Sequence, residues 1–554
     1  MEFQNKVSSL IKKNTFLEVA KEISSITYSE NGAIKYSTTN NIFVDNFAAA
    51  SHFKEPRSYQ DVEFDMNNLW SVNPKMCIQL AFYMRIITRK PKVCIDNTVE
   101  VLDMQRGAGL KHEGIMRMLW LAVNHPKEFI ANLPLYIAIA SWKDIFQMLS
   151  LDLQFHGWEH RKLNWNYIYE VIIAGLQNSA TTHLVRKYLP TIRTNNKCTT
   201  LESQADTLIG RWLARRFNPK LQPQESYKEY RKIKSKGIAH EWQQLISKQL
   251  YNCIKFDNIA GRALALMVSS KFLENHNLID KYTNWISSKP IAKFTGYVFE
   301  LFSKYTDLYP EHLSEYQEKT INAQFNQLVQ NNKNKSSLIV VRDVSGSMAS
   351  KAIGCNVSSY CISKAMALYF SESLKGHFNN SYFVFSDTCK LKFWNGTTPT
   401  EKYVNDAYTY YGSTNFQSVI DTLIEIKQEG VSEEEFPTGL LVLSDGELNS
   451  CGTTTNFKRA IERLKKAGFS NEFVNNFKII LWDIPNTFYG KTEQKFESFA
   501  DTPNFFYISG YDPSVITFLL GGDNPEFKAP KTAEELFLSA MNQEILQRIK
   551  IFSK

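Results

Sequence analysis

The chain has 554 residues, of which 43% are hydrophobic, 22% charged and 13% aromatic. That is roughly three or four times an ordinary domain, and the composition excludes a largely disordered, collagenous or coiled-coil protein. The net charge of +8 is unevenly spread: residues 1–334 hold 42 Lys+Arg against 31 Asp+Glu, the remainder 22 against 25. A positive field on one part of a chain favours a polyanion partner, or is a solvated basic surface that aids solubility.

No run of about 18 apolar residues occurs. The longest apolar stretches, such as Leu338 to Val341 and Lys478 to Trp482, are strand-sized and bounded by charges or turns, so no membrane span or membrane partner is expected. The start, Met1-Glu2-Phe3-Gln4, has no basic segment, apolar segment or small-residue cleavage site, which predicts a cytoplasmic protein. Cysteines 77, 94, 198, 253, 355, 361, 389 and 451 show no Cys-x-x-Cys spacing and read as reduced thiols.

Residues 1–330 read as helices. Apolar residues recur at helical spacing around Cys77 to Met84, Ile115 to Ala122 and Ile145 to Leu149, and similar patterns predict helices near 165–176, 205–217, 239–252, 259–272 and 314–330. Breakers at Pro91, Pro126, Pro134, Pro190 and Pro290 predict many short helices. Without a fixed repeat period, an α-solenoid rests on helix succession alone. Residues 331–337 are polar and aperiodic, the best linker candidate.

Beyond the linker the pattern alternates: strands at 338–343, 381–385, 439–443, 478–482 and 505–508, with helices at 356–374, 416–427 and 457–467. This is the grammar of a doubly wound, Rossmann-like parallel sheet, whose ligands sit at the carboxyl ends of the strands. At the first such end stands Asp343-Val-Ser345-Gly-Ser347. A carboxylate followed by two hydroxyls at alternate positions can converge on a hard cation such as Mg²⁺ or Mn²⁺. Thr414 opens the helix at 416, and Asp445 follows the strand ending at Leu443. The other reading of these residues is simple turn chemistry.

This order of residues resembles the metal-ion-dependent adhesion site (MIDAS) of von Willebrand factor A domains, over residues 336 to about 525. The resemblance implies that Asp343, Ser345, Ser347, Thr414 and Asp445 are the metal residues, some acting through water. It also implies an adhesive site, with one coordination position open to an acidic protein ligand. Neither Gly-x-Ser-x-Gly, His-Glu-x-x-His nor a phosphate-binding Gly-x-x-x-x-Gly-Lys-Ser/Thr loop occurs, so an enzyme is not expected.

Phrases in the helical part are Asn31-Gly-Ala-Ile-Lys-Tyr36, Leu80-x-Phe82-Tyr83-x-Arg85, Arg106-Gly107-x-Gly109 and Ser141-Trp142-Lys143-Asp144. They look like an uncharacterised bacterial and viral branch related to the TROVE module of Ro autoantigen proteins. That module is a HEAT-like helical-repeat ring followed by a von Willebrand A domain, and it binds RNA. The resemblance implies a multidomain, cytoplasmic ribonucleoprotein component. Its parts are a TROVE-like ring or arc over 1–330, a linker over 331–337, a von Willebrand A domain over 338–525 and a C-terminal helix over 526–554.

Three basic clusters are candidates for RNA, small non-coding or misfolded. Lys228, Tyr230, Arg231, Lys232, Lys234 and Lys236 mix cations with a ring, suited to phosphates and stacked bases, or form a solvated helix face. Arg211, Arg215 and Arg216 share one side of a helix beside Trp212 and either grip phosphate or cover the indole with their stems. Arg106 and Lys111 flank a two-glycine turn that either approaches phosphate or lets helices pack. Arg85, Arg89, Lys90 and Lys92 make a further basic group at a helix end. The leading expectation is a Ro-like RNA-binding protein that also holds a divalent cation and an acidic partner; the alternative is a protein-interaction scaffold with metal-dependent adhesion and no RNA.

Overall fold

The computed structural model describes residues 41–49, 57–86, 107–194, 198–237, 241–294, 296–305, 313–330, 337–373, 377–406, 412–452, 454–487, 504–509 and 533–552, and the short strands β1 (Ile26–Tyr28), β2 (Ile34–Tyr36), β3 (Lys92–Ile95) and β4 (Thr98–Val101). The proposed linker, apart from Ser337, and Arg106, Arg89 and Lys90 lie outside the described residues. A helical region precedes a mixed α/β sheet of six strands. The chain forms two compact units, residues 1–55 with 259–540, and residues 56–258 with 541–554.

The described residues of the unit 56–258 are mainly helical, with the hairpin β3–β4 between the helices Pro74–Arg85 and Lys111–Asn124. Ser58 caps the helix Tyr59–Val72 through a reciprocal box with Asp61, and Asn73 accepts from the Met76 amide to start Pro74–Arg85 with proline in its first turn. Those are the preferred residues for an N-cap and for a first helical position. The predicted stripes close the core: Cys77, Ile78, Leu80, Phe82, Met116, Leu119, Ile145 and Leu149 are all buried. The C-terminal residues join this unit, since Gln79 Nε2 donates to the Leu546 carbonyl at 3.2 Å and Asn132 exchanges two 2.8 Å hydrogen bonds with the backbone of Lys550.

Arg85, read from the sequence as one of a basic group at a helix end, does end the helix Pro74–Arg85 but is a core residue. It is 2% exposed and makes a two-pronged ion pair with the fully buried Asp144, at 2.6 and 3.0 Å. The residues of the Gly107–Gly109 turn explain their own identity. Ala108 N donates to the Tyr83 carbonyl, and a Cβ on Gly107 would lie 2.0 Å from that oxygen. The glycine lets the turn pack against the helix end, the bland alternative for this motif.

In the other unit the sheet order is β10-β9-β8-β5-β6-β7, with β5 (Leu338–Asp343), β6 (Ser381–Phe385), β7 (Cys389–Phe393), β8 (Gly439–Ser444), β9 (Lys478–Asp483) and β10 (Phe505–Ser509). All neighbours are parallel except β7, which pairs antiparallel with β6. β7 was not expected from the sequence. Its Lys390 and Lys392 and its exposed Leu391 and Phe393 are edge-strand chemistry that lacks the apolar run of a central strand.

The compact units also cut the chain elsewhere than the composition shift at 330. Helices of 259–330 pack onto the α/β part: Phe302 stacks on Tyr403 at 4.3 Å, and Asn322 Oδ1 accepts from the Thr400 amide at 2.9 Å. Charge follows the structural division more sharply than a division at the linker. The unit of 56–258 and 541–554 holds 31 Lys+Arg against 19 Asp+Glu, a balance of +12, and the sheet-bearing unit 33 against 37, a balance of −4.

Candidate functional site

Parallel pairing of β5 with β8 sets Arg342 opposite Leu443, so Asp343 and Ser444 end their strands side by side and Asp445 follows at the carboxyl edge. Asp343 is fully buried. Its Oδ1 accepts from the Ser345 amide at 2.8 Å and its Oδ2 from the Ser444 hydroxyl at 2.6 Å. The Ser345 and Ser347 hydroxyl oxygens are 3.2 Å apart, and the Ser347 hydroxyl lies near enough to the Asp445 carboxylate to favour its ionised form. Asn486 Nδ2 donates to Asp445 Oδ2 at 2.8 Å and to the Ser347 carbonyl at 3.0 Å. Asp445 Oδ1 is buried and has no hydrogen-bond partner among the described residues.

Thr414, 2% exposed, sits on a loop tied to the segment after β8. Its amide donates to Asn449 Oδ1 at 3.2 Å, and the Asn449 amide donates to the Thr414 carbonyl at 2.9 Å. Ser413 donates from its amide and its hydroxyl to Asp387 Oδ1 at 3.0 and 2.5 Å. Gly412 has φ +67°, and a Cβ there would stand 1.9 Å from the Asp387 carboxylate. Only glycine accepts both conditions. The structure therefore ties together the loops after β6 and β8 and the one that carries Thr414. Ser444, Asn449, Asn486 and Asp387, which organise these loops, were not read from the sequence; a polar residue directly after a strand end is too common a signal to single them out.

The electrostatics are those of a site short of positive charge. Burial, then the Asp445 charge, pushes the Asp343 carboxyl up to about 7. Asp445 is raised as well, by burial and by the fields of Glu447 and Asp483 against the bonds from Ser347 and Asn486. Burial of like charges without a counter-ion disfavours ionisation. Among the described residues no group of three or more His, Cys, Asp or Glu side chains is placed to hold a metal ion. Any cation held here depends on hydroxyl oxygens as much as on carboxylates. Oxygen-only donors and a buried, unpartnered carboxylate oxygen fit a hard divalent ion.

Residues 337–548 match a domain of unknown function (DUF7788). That match begins at the residue before β5. No curated protein matches the chain.

A pH prediction follows from the Asp343 shift. A carboxyl whose folded pKa is raised binds more protons folded than unfolded, so its ionisation costs stability as pH rises from about 4 towards 7. A Mg²⁺ ion at Asp343 would compete with that proton. Its stabilisation of the protein should therefore be larger at pH 8 than at pH 5, read as the shift in melting temperature at each pH; equal shifts would remove Asp343 from the site.

The structure sorts the RNA candidates differently. Tyr230 is fully buried, its hydroxyl donating to the Pro190 carbonyl at 2.8 Å and its ring 5.9 Å from that of Phe217. A ring in the core cannot stack on a base, so the reading of Tyr230 as a stacking residue is corrected. Lys234 is half-buried and its ammonium donates to the Leu189 carbonyl, so it is tied to the fold. Lys228, Arg231, Lys232 and Lys236 lie on or at the end of the helix Pro223–Ser235, with Lys232 paired to Glu229 at 2.7 Å.

Arg215 and Arg216 are exposed and Arg211 is half-buried. Trp212 packs edge-on against Trp165 at 4.9 Å, and the Arg216 guanidinium lies 4.5 Å from the Tyr169 ring, so this cluster does cover aromatic surface. Lys111 is half-buried and lowered to about 8 by burial, then by Lys143. Sequence reasoning missed Trp158 and Arg161, whose guanidinium lies 4.8 Å from the Trp158 ring. The short phrase Trp158-Glu-His-Arg161 carried that signal.

Proposed function

We propose that the sheet-bearing unit binds one divalent cation, Mg²⁺ or Mn²⁺, at Asp343, Ser345, Ser347, Thr414 and Asp445. We further propose that the basic helical unit binds RNA, as in a Ro-like protein with a TROVE-type ring and a von Willebrand A domain. The observation that carries the first half is the buried Asp445 Oδ1 without a partner, beside a second buried carboxyl. In a bound state the cation supplies an electrophilic anchor for an acidic oxygen of a protein partner. The chain's own residues do the positioning. Asn486 fixes Asp445, Ser444 fixes Asp343, and Asp387 with Asn449 hold the loop of Thr414.

What supports the second half is the separation of charge, +12 against −4 between the two units. Cations interleaved with aromatic faces at Trp158, Arg161, Tyr169 and Arg216 add to it. Cations neutralise phosphates while rings and guanidinium planes accept bases. Replacing Lys228, Arg231, Lys232 and Lys236 together by Gln should weaken binding of a single-stranded RNA oligonucleotide. It should also lower the steepness of its salt dependence by about 0.7 for each phosphate no longer neutralised, read by fluorescence anisotropy at several salt concentrations. Unchanged affinity and slope would leave the scaffold reading, with no RNA at this helix.

A further inference from the structure

A cavity of about 380 Å³ opens in the sheet-bearing unit between the helices Gly261–Ser269, Val298–Phe302 and Glu315–Gln330. It does not involve the cation site. Its size falls in the range of small-molecule pockets, far above an ordinary packing defect. The walls are mainly apolar, from Ala265, Leu266, Phe294, Leu301 and Ile321. Leu266 is 70% exposed at this place, while Leu264, Met267 and Val268 of the same helix are buried, so the helix spends an apolar side chain on the cavity beyond what its own packing uses.

The polar groups of the lining are already committed to backbone. Gln317 Nε2 donates to the Val268 carbonyl at 3.2 Å, Gln324 Nε2 to the Gly261 carbonyl at 3.1 Å, and the Thr320 hydroxyl to the Tyr316 carbonyl at 2.6 Å. An occupant of the interior therefore gains by apolar contact, since ordered water needs two or more polar partners. Charge is confined to Arg262, paired with Glu300, and Lys304, whose ammonium spends one of its three N–H groups on the Ser269 carbonyl at 2.8 Å. These three groups sum to one positive charge, with ammonium donors to spare.

We infer that this cavity is a binding site for a monoanionic amphiphile, an apolar body in the cavity with a carboxylate-type head at Lys304 and Arg262. The probe is dodecanoate, titrated below its micelle concentration into the 554-residue chain by calorimetry, with dodecylammonium as the charge-reversed control. The expected result is saturable binding of one dodecanoate per chain and none of dodecylammonium. Ala265→Phe, which fills the cavity, should abolish binding while circular dichroism stays native. Lys304→Gln should weaken it roughly tenfold, the scale of one charge-assisted hydrogen bond. Absence of saturable dodecanoate binding, equal binding of dodecylammonium, or unchanged affinity in a folded Ala265→Phe would each overturn the assignment. Capture of an amphipathic peptide in place of dodecanoate would show a protein groove and overturn it too.

Discussion

Replacing Asp343 by Asn should make the cation-free protein more stable at pH 8 and erase its response to Mg²⁺. Asp343 is fully buried and its carboxyl is pushed up to about 7, well above an ordinary Asp; that places an upper bound of ~4 kcal/mol on the cost of its charge at high pH. Asn removes the charge, keeps the size and still accepts hydrogen bonds at its carbonyl oxygen, so a gain of about 2 kcal/mol is expected. A residue that costs stability yet sits at a loop junction is what a binding site leaves behind. Urea unfolding with and without Mg²⁺ measures both effects. A variant less stable than the wild type, with the Mg²⁺ response intact, would make Asp343 an ordinary structural residue.

Arg85→Ala should destabilise the helical unit by about 3–5 kcal/mol, the cost of stranding a buried charge. Asp144 is fully buried and takes both prongs of Arg85, with Ser141 Oγ at 3.0 Å as its other close donor. Removing the guanidinium leaves the buried carboxylate without its hydrogen-bonded counter-charge, with only the half-buried Lys111 near it. Replacing both partners, Arg85→Met with Asp144→Leu, should recover most of the loss, because an apolar pair of similar volume carries no desolvation cost. Denaturant unfolding followed by circular dichroism checks this; a loss under about 1 kcal/mol in the single variant would mean that the pair contributes little.

The strands of the sheet were legible because β5, β6, β8 and β9 are continuous apolar runs bounded by turns, and the residues proposed for a cation were singled out because their spacing follows those strand ends. Long periodic helices such as Leu201–Phe217 and Glu315–Gln330 stood out for the same reason. The edge strand β7 was hidden by its lysines, and the hairpins β1–β2 and β3–β4 by having only three or four residues per strand. Tyr230 and Arg85 were misread for one physical cause. Sequence shows that a residue is polar or charged, whereas its partner, the Pro190 carbonyl or Asp144, comes from 40 or 59 residues away. The 259–330 helices were assigned by composition to the helical part, though Phe302 and Asn322 pack them on the α/β side in a way that no local pattern announces.

Calorimetric titration of Mg²⁺ or Mn²⁺ into the unaltered 554-residue chain and into Asp343→Ala, both at pH 8, tests the proposed cation site most directly. One site per wild-type chain and no binding heat in Asp343→Ala is the expected result. Equal heats in the two proteins would show that Asp343, Ser345, Ser347, Thr414 and Asp445 do not hold a cation, and the adhesive role proposed for the sheet-bearing unit would fall with them.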